Sequence, residues 1–168
     1  DDYEIEDEGD LKDLAYCETI TGRLEYWNQN WAAGLELPCV TSVSDIVNIA
    51  KNNGLATFGL SSLTTVGQSV FVDDNDGLTD FDMSALTTIG GALYINENSD
   101  LTYFDMSALT TIGDGLYIKY NDTLTSLEGL SHLTTVGYRI EIQNNRCMSQ
   151  AVVEAFVDGI TNGSTVHS

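Results

Sequence analysis

Positive charge is what this sequence has least of. Six Lys and Arg stand against 26 Asp and Glu in 168 residues, a formal net charge of -20. Nucleic-acid binding needs basic groups to neutralise phosphate, so that class is excluded. Anionic membranes and polyanionic glycans are disfavoured on the same ground, and cations, basic partners or a salty medium suit the surface better. Histidine is nearly absent. His132 and His167 enter no Ser–His–Asp or Cys–His pattern, so the chain is read as no enzyme. The basic residues Lys12, Arg23, Lys51, Lys119, Arg139 and Arg146 are scattered along the sequence and suggest no cationic cleft for cleaving acidic sugars. No stretch approaches about 18 consecutive apolar residues, which excludes a helical membrane span. No signal peptide is visible, and Asp1-Asp2-Tyr3-Glu4 reads as a mature or trimmed start. The single proline, Pro38, and 15 glycines leave turns to Gly and Asn and allow long uninterrupted strand pairing.

What is present is repetition. Leu63-Thr64-Thr65-Val66-Gly67 recurs at Leu86–Gly90, Leu109–Gly113 and Leu133–Gly137, at spacings of 23, 23 and 24 residues. Between these copies lie further columns in register. Apolar doublets stand at Val47/Ile49, Val70/Val72, Leu93/Ile95, Leu116/Ile118 and Ile140/Ile142. Three residues later comes an asparagine each time: Asn52, Asn75, Asn98, Asn121 and Asn145. Then follow Leu55, Leu78, Leu101, Leu124 and Met148; next Phe58, Phe81, Phe104 and Leu127; and last Leu60, Met83, Met106 and Leu130, one place late because of an inserted residue at Glu128-Gly129. Ile20–Tyr26 is a degenerate first copy.

A doublet with alternating burial is a strand with one inward face. Such a strand cannot bury that face alone, but identical coils stacked at about 4.8 Å can. The predicted fold is therefore mainly β, a right-handed parallel β-solenoid of about six coils spanning on the order of 30 Å. The asparagines would form an inward ladder, bonding one another and the turn backbone. Short helical caps are expected over the open ends. One lies near Leu11–Tyr16; the other, about residues 149–160, has Ser149 as N-cap, Gly159 as stop, and Val152, Val153, Phe156 and Ile160 on the core. Residues 1–10 read as an acidic, poorly ordered leader, 11–160 as the solenoid domain and 161–168 as a frayed tail.

Cys17 and Cys39 are 22 residues apart, nearly one coil, which puts them within bridging range and predicts a disulfide in an oxidising compartment; two buried thiols are the alternative. Cys147 is left over, its partner lying beyond residue 168 or on another chain.

Cys17-Glu-Thr-Ile-Thr-Gly-Arg-Leu-Glu-Tyr, followed by repeated Leu-Thr-Thr-Ile-Gly-x-x-Leu-Tyr-Ile-x-x-Asn, resembles the receptor L-domain over roughly residues 11–160. These domains form ligand-binding lobes of insulin and epidermal growth factor receptors, and similar repeats occur in microbial cell-wall and surface proteins. The resemblance implies a leucine-rich-repeat-like solenoid that binds without catalysis, on one sheet face. It implies that a cysteine near Cys147 pairs with a later one. Kinase and furin-like modules are absent, so receptor signalling does not carry over.

Candidate sites follow. Between the inward residues of each doublet lies an outward column, Asn48, Phe71, Tyr94, Tyr117 and Glu141, with Asp73, Asn96 and Lys119 beside it as a polar rim. Phe71, Tyr94 and Tyr117 are the candidate ligand site, because an exposed aromatic patch marks partner surfaces. The same column serves equally as a ladder that stiffens the sheet. Asp73-Asp74-Asn75-Asp76-Gly77 fails the EF-hand spacing, since Val72 falls at position one and Met83 at twelve. Calcium in another oxygen cage stays open; no other metal or cofactor is expected. The paired threonines raise ice binding, but neighbours in a strand point oppositely, so only one row is expected outward. Asn121 and Asn162 begin glycosylation patterns; Asn121 is expected to be inward and bare. The function expected is extracellular recognition of a protein or glycan at a cell surface, as in adhesion. The alternative is a self-assembling structural block of a cell wall, matrix or filament.

Overall fold

Four- and three-residue strands alternate inward apolar with outward side chains, and each pairs only with its counterpart one coil away. A computed structural model describes residues 2–14, 16, 19–29, 32–160 and, for the backbone alone, 165–167. All pairings are parallel, and they assemble three sheets that wrap a single core. The front sheet has eight strands: Tyr3–Glu4, Leu24–Trp27, Val47–Ala50, Val70–Asp73, Leu93–Asn96, Leu116–Lys119, Arg139–Gln143 and Thr165–His167. A six-strand threonine sheet runs from Thr19–Ile20 through Thr65–Val66 to Thr135–Val136. A four-strand phenylalanine sheet comprises Gly34–Glu36, Thr57–Gly59, Asp80–Asp82 and Tyr103–Asp105. The predicted β-solenoid of about six coils is thus the fold, with two short helices.

Register follows the sequence period. Leu93 pairs with Val70 and Leu116, Tyr94 with Phe71 and Tyr117. Inside, Phe58, Phe81 and Phe104 stack with centroids 4.8 and 5.3 Å apart. Each such buried side chain stabilises the fold by about 1.5–3 kcal/mol. The phenylalanine sheet stops at Tyr103–Asp105. There the inserted residue is absorbed in a 3₁₀ turn, Glu128–Leu130, and Leu127 replaces the next Phe in the core.

The corner after each front strand carries a column the sequence did not announce. Asn28, Lys51, Asp74, Glu97, Tyr120 and Asn144 all have φ between 56° and 60°. None is glycine. The left-handed conformation costs a non-glycine residue about 1–2 kcal/mol, and the next residue of each coil is what compensates: it is Gln29 or a ladder asparagine.

The glycines of the repeat serve another purpose. None has positive φ. A Cβ on Gly90 would run into the carbonyl oxygen of Gly67, and one on Gly113 into that of Gly90. The column exists because coils approach backbone to backbone at this corner.

The ends depart from expectation. The leader is not loose: Tyr3–Glu4 pairs with Leu24–Glu25, and Ile5 and Leu14 are fully buried. Helix α1 spans Glu8–Leu14, earlier than predicted, and Tyr3 donates its hydroxyl to the carbonyl of Asp10. The alternating Tyr3 and Ile5 cover the first coil despite the surrounding acid. At the other end α2, Gln150–Asp158, starts at the expected N-cap, where Ser149 accepts from the Val152 amide. Val153 is buried on the last coil, with Val152, Phe156 and Ile160 packed beside it. Thr165–His167 adds a final strand against Arg139–Glu141, where a frayed tail was expected. Asn162 and Cys17 lie outside the described residues, and so does the Cys17–Cys39 pairing. Among the described residues Cys39 is a half-buried free thiol and Cys147 an exposed one.

Candidate functional site: the front sheet

Two arrays meet at the front sheet: an inner asparagine ladder and an outer aromatic one. The asparagines sit behind the corner, fully buried from Asn52 to Asn121 and nearly so at Asn145. Asn75 donates from Nδ2 to the Ile49 carbonyl (2.9 Å) and to Asn98 Oδ1 (3.2 Å). Its own Oδ1 accepts from the backbone N–H and the Nδ2 of Asn52 (3.0 and 3.2 Å). Asn98 and Asn121 repeat the pattern. Each amide thereby uses two donors and two acceptor sites, its full capacity. Aspartate lacks the donors and glutamine is one methylene too long, which is why this column holds asparagine. Asn121, as expected, is inward. The ladder is structural and ties together the front strands from Leu24–Trp27 to Arg139–Gln143.

Outside, Phe71, Tyr94 and Tyr117 come together in register. Their centroids are 4.7 Å apart, with ring planes inclined by 3° and 6°. The stack uses up the ring faces on one another, so the strip it offers to solvent is made of ring edges. Tyr117 lies over Gly115, where any Cβ would collide with its ring. Lys119 stands over Tyr117, 5.2 Å from the centroid, and bonds Glu141, which Arg139 also pairs. At the first coil Lys51 lies 5.6 Å over Trp27. Burial holds the Tyr94 and Tyr117 hydroxyls above the usual phenol range, and the charge of Asp114 acts on both in the same direction.

Basic residues that look scattered in sequence therefore collect here. Arg23, Lys51, Lys119 and Arg139 lie on or beside the front strands. Charge of either sign is excluded from the threonine side. The segments 37–44, 60–67, 83–90, 106–113 and 130–137 contain no Asp, Glu, Lys or Arg, and they include five of the six strands of the threonine sheet. On that side both threonine rows face outward. Thr64, Thr65, Thr87 and Thr88 are all exposed, because the strand begins only at the second Thr. Hydroxyls of the first row donate to the carbonyl one coil back, as Thr64 does to Thr41 (2.9 Å) and Thr87 to Thr64 (3.0 Å). His132, in a variable slot of this side, is exposed.

Asp73 stands in the column beside the aromatics. Burial pushes it up to about 6, opposed by hydrogen bonds from the Asn96 amide and side chain and reinforced by the charges of Glu97 and Asp74. The sign follows. A folded-state value above the ordinary 3.8 means that the fold holds this proton more tightly, so its contribution is present below about pH 4 and is lost as pH rises through about 6. With an allowance for partial exposure, the loss is about 1–2 kcal/mol. Asp73→Asn, the residue of the next coil, is therefore expected to be more stable than the parent at pH 7 and to lose that advantage towards pH 4. Urea midpoints at the two pH values check it; an advantage unchanged with pH would refute the assignment.

The four residues Asp73, Asp74, Asn75 and Asp76 point to different places. Asp73 is on the sheet, Asp74 is at the corner, Asn75 is in the core, and Asp76 accepts from Ser99. No group of three or more His, Cys, Asp or Glu placed for a metal ion exists among the described residues. Comparison with family models, curated proteins and solved structures gives no match.

Proposed function

We propose that this chain is a non-catalytic recognition module of an extracellular surface, of the receptor L-domain kind, that holds a protein partner on its front sheet. The observation that carries the reading is the strip Phe71–Tyr94–Tyr117, bordered by the exposed Trp27, Tyr120 and Tyr138. Tyr, Trp and Arg on a rigid flat face are the residues in which binding energy concentrates. A protein suits the strip better than a glycan, because stacked rings leave no open face for a sugar between them. The alternative, a building block stacked end to end, is opposed by the covered ends: Leu14 and Ile5 close one and Val153 the other. The exposed thiol of Cys147 is its remaining support.

Two measurements test this. Sedimentation over a concentration range, with and without reductant, is expected to show one monomer; polymers lost on reduction would favour the building block. Capture from a panel of purified surface proteins and glycans is expected to fall at least tenfold with Tyr94→Ala and to survive Tyr103→Ala, an exposed tyrosine of the phenylalanine sheet. Binders indifferent to Tyr94 would remove the front sheet as the site.

A further inference from the structure

One end of the aromatic strip already holds a cation of the chain itself. Lys51 over Trp27 and Lys119 over Tyr117 each place an ammonium against an aromatic face. Lys119 adds a carboxylate, Glu141, to the same cation. A cation held by a ring and a carboxylate together is stabilised by both. The Lys119 site closes one end of the strip, and Trp27, in register with Ala50, stands in another column of the same sheet. The middle of the strip, where the ring faces are stacked on one another, keeps the carboxylates without the cation. Asp114 lies on one margin; Asp73, Asp74 and Glu97 lie on the other. None of the four is in an ion pair among the described residues. The exposed Asp114 and Glu97 flank the stacked Tyr94 and Tyr117, and the opening beside Glu97 is lined by Asp76, Ser99 and Tyr120.

We infer that the front sheet takes a cationic polypeptide segment, a strip of a partner protein bearing lysine or arginine, laid over Phe71–Tyr94–Tyr117 with its charges reaching Asp114 on one side and Asp74 and Glu97 on the other. The inference rests on the front sheet being the binding face and names the chemistry of what it binds. Three observations point the same way: a formal charge of -20, carboxylates outside any ion pair among the described residues on both margins, and one internal example, Lys119 held between Tyr117 and Glu141. Long-range attraction would speed encounter, and the ladder would select orientation. A second copy is the wrong occupant, because it brings the same carboxylates to the same margins.

The test uses the full chain and a fluorescent extended peptide of arginine alternating with glycine and serine, with a glutamate version as control. Anisotropy titration at physiological salt is expected to show binding of the arginine peptide alone. The pair Asp114→Asn with Glu97→Gln should weaken it about tenfold, and Tyr94→Ala comparably. Asp80→Asn with Asp158→Asn removes the same charge from exposed positions on other elements and should change it less than twofold. Equal weakening by the two pairs would reduce the effect to diffuse attraction by a polyanion and overturn the inference, as would no binding at all. Both results leave the front sheet standing if panel binders still depend on Tyr94, so the two readings fail separately.

Discussion

Replacing Asn98 by alanine is expected to cost about 3–5 kcal/mol, far more than a typical substitution. The reason is an accounting of orphans. Without its side chain the Asn75 backbone N–H and one Asn75 Nδ2 proton lose their acceptor. The Val72 carbonyl loses the donor at 2.8 Å. These groups are buried, water cannot reach them without opening the corner, and each unsatisfied partner costs about 1–3 kcal/mol. Asn98→Asp keeps the shape but not the donors: its carboxylate would face the Val72 carbonyl and Asn121 Oδ1, so the loss is expected to be larger at pH 7 than at pH 4. Denaturant unfolding of the three proteins at both pH values checks the claim. A loss below about 1 kcal/mol for alanine would show that the ladder is ornamental. Ser99→Ala, at the half-buried position one further on, is the control and should be near neutral.

A single methyl group on Gly90 should be as damaging. Its Cβ would strike the carbonyl oxygen of Gly67, and the carbonyl carbon would be only 3.0 Å away. Overpacking of a flexible side chain is relieved by a rotamer change, at about 1–3 kcal/mol. Here the obstacle is the Gly67 backbone, and Gly90 itself stands just as close to Gly113 in the next coil. Relief requires the coils to part, which strains the bond from the Gly90 amide to the Val66 carbonyl at 2.9 Å. Gly90→Ala is therefore expected to lose more than about 3 kcal/mol or to fail to fold. Gly159→Ala, past α2 and with its nearest neighbour at 3.4 Å, should be tolerated. Equal melting temperatures for the two variants would refute the steric account.

The core was legible because it is periodic. Asn52, Asn75, Asn98, Asn121 and Asn145 announce themselves by spacing, and so do Phe58, Phe81 and Phe104. What escaped reading lacks either period or a residue-type signal. The left-handed corner is occupied by Lys51, Asp74, Glu97 and Tyr120 without a glycine among them. Position in the coil, not residue identity, imposes that conformation. Ile5 lies in a run of acid whose composition suggests disorder; two apolar side chains sufficed to seat it. The two threonine rows broke the alternation rule because a turn, not a strand, precedes Thr65. The aromatic column was visible, but its geometry was not. Only the ring planes reveal that the faces are consumed by stacking, and that favours a protein over a sugar. The basic residues occupy different columns, Arg23 and Arg139 at the start of the strand, Lys119 at its last position and Lys51 at the corner after it, so the period of 23 conceals their gathering on one face.

Every coil touches only the coil before and the coil after, and each hands on the same backbone carbonyls and amides that it receives. The length of such a molecule is not fixed by its core. Excising residues 86–108 would join Thr65 rows to Thr111 rows, Phe81 to Leu127 with Asn75 to Asn121, and would leave both caps in place. Excising 20 residues would align nothing. The one longer coil shows where slack is tolerated, at the turn of Glu128–Leu130, outside the sheets. For this chain the heritable unit of growth or loss is a whole coil, and the aromatic strip would lengthen or shorten with it in steps of one rung.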